Sequence, residues 1–229
     1  MCERANQISS SEDIADAVDV EVEEIPPYLP QYNISREDDV VVVHLAADGK
    51  RVAAQMKWGF IPSWSKDKPI QVANARAEKV ASSGMYRSAY RRRRCIVPFS
   101  GFYEWPYSEV PVRGQPATNY KRRDGKPMCM AGLWEEWHEV ERFLVITTDP
   151  NPLMLQLPHH RMPVILDPQD VGAWLDLENE EAHKLLVPCP EDWLTAECVG
   201  TYVNNTRHEG PKCLEPFTPP SDDEPFRLH

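Results

Sequence analysis

Position 2 of the chain is a cysteine, and a second residue this small favours removal of Met1. Cys2 would then carry a free α-amine and a thiol. Such a 1,2-aminothiol condenses with an aldehyde to an imine, which the thiol closes to a thiazolidine ring. The α-amine titrates near 7.7–8.0 and a free thiol near 8.5, so both nucleophilic forms are accessible at about neutral pH. The alternative is that Cys2 is simply the second residue of a fraying terminus. Glu104 stands among aromatics in Gly101-Phe102-Tyr103-Glu104-Trp105. If it points inward, desolvation raises its pKa toward proton-transfer duty; if outward, it is a solvated strand residue, since strands alternate faces. His159 and His160 precede Arg161-Met162-Pro163, and extended backbone lets only one of them face a given site. Asn74-Ala75-Arg76-Ala77-Glu78 brings an amide, a guanidinium and a carboxylate into five residues. There Arg76 suits a phosphate clamp or an ordinary helix-surface ion pair. Trp64 closes the rigid aromatic turn Trp58-Gly59-Phe60-Ile61-Pro62-Ser63-Trp64, suited to stacking on a base or to core packing.

Composition bounds what can position these groups. The chain has 229 residues, 41% of them hydrophobic and seven of them Trp, enough for a globular core. No apolar run approaches the roughly 18 residues of a membrane span, and the start lacks the basic and apolar regions of a signal peptide. A cytoplasmic or nuclear location is expected, with no membrane association. The six cysteines form no C-x-x-C pair, which gives a zinc site little support, and Cys95 and Cys129 read as core strand residues; no cofactor is expected. The net charge of −11 argues against a protein coated by nucleic acid. Residues 86–94 nevertheless hold Arg87, Arg91, Arg92, Arg93 and Arg94 with no acid. They fit a local basic patch or a charged strand edge.

Ser9-Ser10-Ser11-Glu12-Asp13 reads as an N-cap and acidic first turn for a helix through Val18. Val40 to Leu45 and Val52 to Trp58 flank Asp48-Gly49 as a hairpin, and Tyr120 to Arg123 and Pro127 to Trp134 flank Asp124-Gly125 as another. A helix within 76–90, interrupted near Gly84, leads to a strand from Cys95, and Phe143 to Thr148 forms a further strand. Pro168 to Leu175 and a segment capped by Asn179 read as helical. Without regular βαβ alternation the class is α+β, a single domain with a mainly antiparallel sheet. The segment from Pro216 to His229 is Pro-rich and acidic, and reads as a loosely held tail.

Met1-Cys2-x-Arg4, Tyr32-Asn33, the Trp58–Trp64 turn, Asn74-Ala75-Arg76, Gly101–Trp105, the strand Phe143 to Thr147 and His159-x-Arg161-Met162-Pro163 occur in one order. Together they resemble the SRAP family of abasic-site processing proteins, over residues 2 to about 205. The resemblance implies a compact α+β domain over residues 1–213 with a barrel-like sheet, flanking helices and a positively charged single-strand groove, followed by the tail 214–229. It implies that Cys2 attacks the ring-opened aldehyde of an abasic site in single-stranded DNA. The Schiff base then closes to a thiazolidine, which protects the lesion and is open to reversal. Asn74 would orient Cys2, Glu104 would shuttle protons, and His159 would assist ring opening. Arg4 and Arg76 would hold flanking phosphates, Trp64 and Trp105 would lie along the DNA path, and Thr147 would support the site. A monomer without metal is expected.

Two stretches depart from the family pattern. Glu3 stands where glycine is usual, which puts a carboxylate beside the nucleophile and near a polyanion. Ile34-Ser35-Arg36-Glu37 replaces the usual small-residue and proline turn. Two other functions fit some of the same residues. Cys2, His159 and Asn74 could form the set of a thiol peptidase, which could also remove Met1 autocatalytically. A member degenerate at Glu3 could be a non-catalytic module that grips single strands.

Overall fold

The computed structural model describes residues 3–66, 69–106, 114–157 and 159–218. In chain order its strands are β1 (Ala5–Gln7), β2 (Gln31–Ile34), β3 (Asp39–Leu45), β4 (Arg51–Trp58), β5 (Asn74–Arg76), β6 (Arg94–Phe99) and β7 (Gly101–Glu104). They continue with β8 (Ala117–Arg122), β9 (Met128–Trp137), β10 (Val140–Thr148), β11 (Met162–Pro163), β12 (Ile165–Leu166) and β13 (Leu194–Val199). The α-helices are α1 (Ser11–Val18), α2 (Ala77–Val80), α3 (Arg87–Arg92), α4 (Pro152–Gln156) and α5 (Val171–Leu175), and the segment capped by Asn179 is a 3-10 helix, Glu180–Leu185.

Strand β3 pairs with β4 and β6, β6 with β9, β9 with β10, and β10 returns to β4. Five strands thus close into a barrel, which leaves the ring no free edge. The β10–β4 and β10–β5 pairings are parallel and the other strand pairings antiparallel. Both faces of the wall are buried, so Val40 to Val43 can be a continuous valine run. Val40, Val42, Met56, Trp58, Val97, Phe99, Phe143 and Val145 share one face, where Trp58 lies 5.3 Å from Phe99 and 6.0 Å from Phe143 between ring centres. The opposite face, with Val41, Val43, Ile96, Leu133, Leu144 and Ile146, is covered by Ile14 and Val18 of α1 and by Trp174 and Leu175 of α5. Gly132 sits where a Cβ would come within 2.8 Å of the Leu144 carbonyl oxygen and 2.9 Å of Cys95 Sγ, so β9 needs a residue without a side chain there. A second, antiparallel sheet, in the order β13-β8-β7-β1-β2, carries the start of the chain.

The expected class, α+β with a mainly antiparallel barrel-like sheet and flanking helices, is the one observed. Helix α1 begins where expected, with the Asp13 amide donating to the Ser10 hydroxyl at 3.1 Å. The expected break near Gly84 separates α2 from α3. Cys95 and Cys129 are buried thiols of strands.

One expectation fails. The turn at Asp124-Gly125 forms, with φ +76° at Gly125, yet β8 and β9 do not pair. A strand has two edges, and those of β8 are taken by β7 and β13 while those of β9 are taken by β6, β10 and β12. The turn therefore carries the chain from one sheet to the other. Among the described residues, no helix is long and apolar enough to cross a membrane.

Candidate functional site

Strand β7 ends the second sheet's approach to the barrel, and its last residue is Glu104. The side chain points inward and is 4% exposed, which decides the facing that alternation alone left open. His159 reaches it from the segment after α4. That segment is pinned by β11, whose Pro163 and Met162 pair with Thr147 and Thr148 at the end of β10. His159 Nε2 lies 2.7 Å from Glu104 Oε2, and His159 Nδ1 lies 3.3 Å from the Arg161 carbonyl oxygen. A carbonyl only accepts, so the Nδ1 contact requires Nδ1 to carry hydrogen. The remaining Nε2–Oε2 contact then needs a single proton, held by the imidazolium or by the carboxylic acid. The other carboxylate oxygen, Oε1, is buried without a hydrogen-bond partner among the described residues. The arrangement is a buried carboxylate–imidazole pair with one acceptor to spare. His160 is exposed beside it.

Arg161 organises the opposite wall. Its guanidinium donates to both carboxylate oxygens of Glu78 at 2.9 and 3.0 Å, to Asp149 at 3.0 Å and to the Thr147 carbonyl at 2.5 Å. Hydrogen bonding from Arg161 is the main cause holding the Glu78 carboxyl below its ordinary range. This clamp ties α2 to the end of β10. It thereby fixes β5, whose Asn74 and Arg76 pair in parallel with Val145 and Thr147. Thr147 is fully buried, while Arg76 is exposed. Sequence reading missed the Arg161–Glu78 clamp, although both partners stand within motifs it had singled out.

Arg4 lies beside the same edge, because the Tyr103 amide donates to the Arg4 carbonyl at 2.9 Å and continues the β1–β7 pairing toward Glu104. Its Nη2 donates to Asn33 Oδ1 and, at 2.5 Å, to the Val203 carbonyl. Its guanidinium sits 5.5 Å from the Trp105 ring centre. Burial pulls the Arg4 pKa down. Trp105 in turn donates to Asn204 at 2.8 Å. Arg4 and Trp105 are thus tied to the segment near Val203 as well as bordering the site. Trp64 stands apart, 65% exposed, on a turn that Trp137 Nε1 anchors at 3.1 Å to the Ser65 carbonyl.

Glu3 finds a partner in the other departure from the family pattern: Arg36 Nη2 donates to Glu3 Oε1 at 2.6 Å. The turn carrying Arg36 is held by Glu37, whose carboxylate accepts from Arg142 at 2.7 and 3.2 Å and also from Gln71. The carboxylate beside position 2 is therefore paired with an arginine of the neighbouring loop. Cys2 and Met1 lie outside the described residues, as does the chain from 219 onward. Of the expected tail, the Phe217 amide donates to the Cys198 carbonyl at 3.0 Å and Pro216 bridges to Val199, so both residues still contact β13. Among the described residues no group of three His, Cys, Asp or Glu side chains is arranged to hold a metal.

The family model for the SOS response associated peptidase (SRAP) matches residues 1–206. Abasic site processing protein YoqW of Bacillus subtilis is 31% identical to this chain, over 94% of this chain and 99% of its own length. Abasic site processing protein HMCES of Gallus gallus is 29% identical, over 83% of this chain and 67% of its own. A crystal structure of a protein from Bacteroides thetaiotaomicron superposes with a TM-score of 0.74 at 21% identity, over 95% of this chain and all of that one.

Proposed function

The chain belongs to the SOS response associated peptidase (SRAP) family, and on that premise we propose that it captures abasic sites in single-stranded DNA covalently through Cys2. The names of its relatives support abasic-site processing in general. The buried Glu104–His159 pair is the observation that carries the finer reading. Imine formation needs a proton delivered to the departing oxygen and another removed from nitrogen, and a two-residue relay holding one mobile proton supplies both.

In the proposed sequence the relay first promotes opening of the deoxyribose hemiacetal, exposing the C1′ aldehyde. The neutral amine of Cys2 adds to that carbon, giving a carbinolamine. Protonation of its hydroxyl from the Glu104–His159 pair releases water and leaves the imine. The thiol then adds to the imine carbon, its proton passing to nitrogen, so aldehyde and aminothiol yield one thiazolidine and one water. Asn74 orients the amine. Arg76 and Arg4 hold flanking phosphates, and Trp64 offers a stacking surface. The buried surroundings of Glu104 keep bulk water from competing for the relay. Reversal runs the same steps backward through the same pair.

A peptidase mechanism is less well supported. Both ring nitrogens of His159 are already engaged, by Glu104 and by the Arg161 carbonyl, which leaves none to deprotonate a thiol. Denaturing electrophoresis of untagged protein with single-stranded DNA carrying one abasic site tests the proposal. A heat-stable shifted band is expected from wild type and absent from Cys2→Ala. No such band from wild type whose Met1 is gone by mass would overturn covalent capture. Salt-sensitive binding without the band would favour a binding module.

A further inference from the structure

We propose that the outward face of the α2–α3 segment is a track for the single-stranded phosphate backbone outside the lesion pocket; this rests on the single-stranded DNA reading above. Arg76, Lys79, Arg87, Arg91 and Arg92 are all exposed. Glu78 is the one acid between residues 76 and 94, and both its oxygens are taken by Arg161. None of the five exposed cations forms an ion pair with a described residue.

The run of four arginines is divided by the fold. Arg93 pairs with Glu135 at 2.6 Å, and buried Arg94 donates to the Asp176 and Asn179 carbonyls. Arg91 and Arg92 are left to solvent. Packing does not account for the exposed set, because α3 is anchored by buried Ala89 and by Tyr90, whose ring lies 6.1 Å from Trp174. Helix electrostatics does not account for it either. Arg87 opens α3, where a cation opposes the helix dipole, and it repels Arg91 one turn on. On a chain of net charge −11 this is a local positive field, which suits a polyanion.

Position supplies the second argument. The line of cations starts at Arg76, paired beside Thr147 at the candidate site. Tyr86, the residue before α3, packs 6.0 Å from Phe60, in the same segment that carries the exposed Trp64. A strand leaving the pocket past Trp64 would therefore pass the start of α3, where Arg87 is exposed, with the exposed Arg91 and Arg92 about one turn further on. Cations without an ion-pair partner among the described residues gain most from phosphates, because each contact releases a condensed counterion.

The test titrates the intact chain with fluorescent, lesion-free single strands of about 30 and about 6 nucleotides across a salt series, lengths that do and do not outrun one compact footprint. For Arg87→Ala/Arg91→Ala/Arg92→Ala, affinity for the long strand is expected to fall about tenfold or more near ~0.1 M salt, and the log–log salt slope to flatten by about 2. The long-to-short affinity ratio collapses with it. Lysine at all three positions restores the ratio, because the track reads charge. An alanine variant with wild-type affinity and slope overturns the proposal, as does a wild type that binds both lengths alike. A duplex of the long length that binds more tightly, with the greater arginine dependence, overturns the single-strand assignment. Arginine-dependent binding of the long strand without covalent capture of an abasic site leaves the track standing and fails the capture reading.

Discussion

Glu104 and Glu135 are both buried carboxylates of strands, 4% and 3% exposed, each with a basic partner within hydrogen-bonding reach. Glu104 faces His159 at 2.7 Å, while Glu135 faces Arg93 at 2.6 Å beside Trp134. Arginine cannot give up its proton at any relevant pH, so the Arg93–Glu135 contact is a fixed pair that joins the end of α3 to β9. Histidine can, so in the proposed mechanism the contact at Glu104 passes a proton without changing the net charge of the pair. Equal burial therefore has opposite meanings, and the partner's chemistry decides which. Location agrees: Glu104 ends β7, the partner of β1, and faces His159 of the segment that β11 pins to the end of β10, whereas Glu135 lies on the barrel wall opposite Arg142.

The largest effect expected from this contrast is on the reaction. Glu104→Gln keeps the shape and replaces a carboxylate oxygen with an amide nitrogen that cannot take up a proton. It should slow crosslink formation by about 100-fold or more with folding intact, as loss of a general acid–base does. Single-turnover kinetics on a denaturing gel would read this, and a wild-type rate would end the proton-relay assignment. Arg93→Ala should do the reverse. It strips the charge partner from a buried carboxylate and should cost about 1–3 kcal/mol of stability in urea unfolding. The crosslinking rate per folded molecule should stay near wild type, and a hundredfold loss there would erase the distinction between the two pairs.

The exposed Glu3–Arg36 pair gives a smaller effect. Surface ion pairs contribute about 0.2–1 kcal/mol, so Arg36→Ala should weaken single-strand binding by no more than about fivefold. Adding Glu3→Gln should recover the loss, because the uncompensated carboxylate is then gone. Additive losses in that double-mutant cycle would show that the two residues act independently.

The smallest effect is in pH. Burial raises the Glu135 carboxyl above its ordinary 4.5 in spite of Arg93, so the folded state holds that proton to higher pH than the unfolded chain does. Its contribution to stability is complete below about 4.5 and is lost as pH rises through the folded value. Glu135→Gln should lack this step in the difference between its urea midpoint and that of wild type, and an identical pH dependence would refute the raised pKa.

Much of the fold was legible because local signals agree with tertiary ones. Ser10 caps α1, the valine run at β3 is buried on both faces, and the hairpin around Gly49 pairs Val42 with Ala54 as its spacing suggests. The Asp124-Gly125 turn misled because a turn specifies only a change of direction. The partners of the strands on either side depend on which edges distant segments have already filled. The candidate site divides in the same way. Cys2, Asn74, Glu104 and His159 could be singled out by residue type and motif order. The clamp from Arg161 to Glu78 and the compensation of Glu3 by Arg36 could not, since each joins residues far apart in the chain.

Residue chemistry belongs to the sequence alone. It determined that position 2 carries a thiol next to a potential free amine, that a carboxylate sits in an aromatic strand, and that four arginines run together in an acidic chain. Facing and partnership belong to the tertiary structure. Only there does Glu104 turn inward to a histidine, Glu135 to an arginine, and the arginine run split into two residues held by the fold and two left to solvent. The physical reason is one of range. Composition and spacing act over a few residues, whereas burial and pairing are set by whichever strands close the barrel around each side chain.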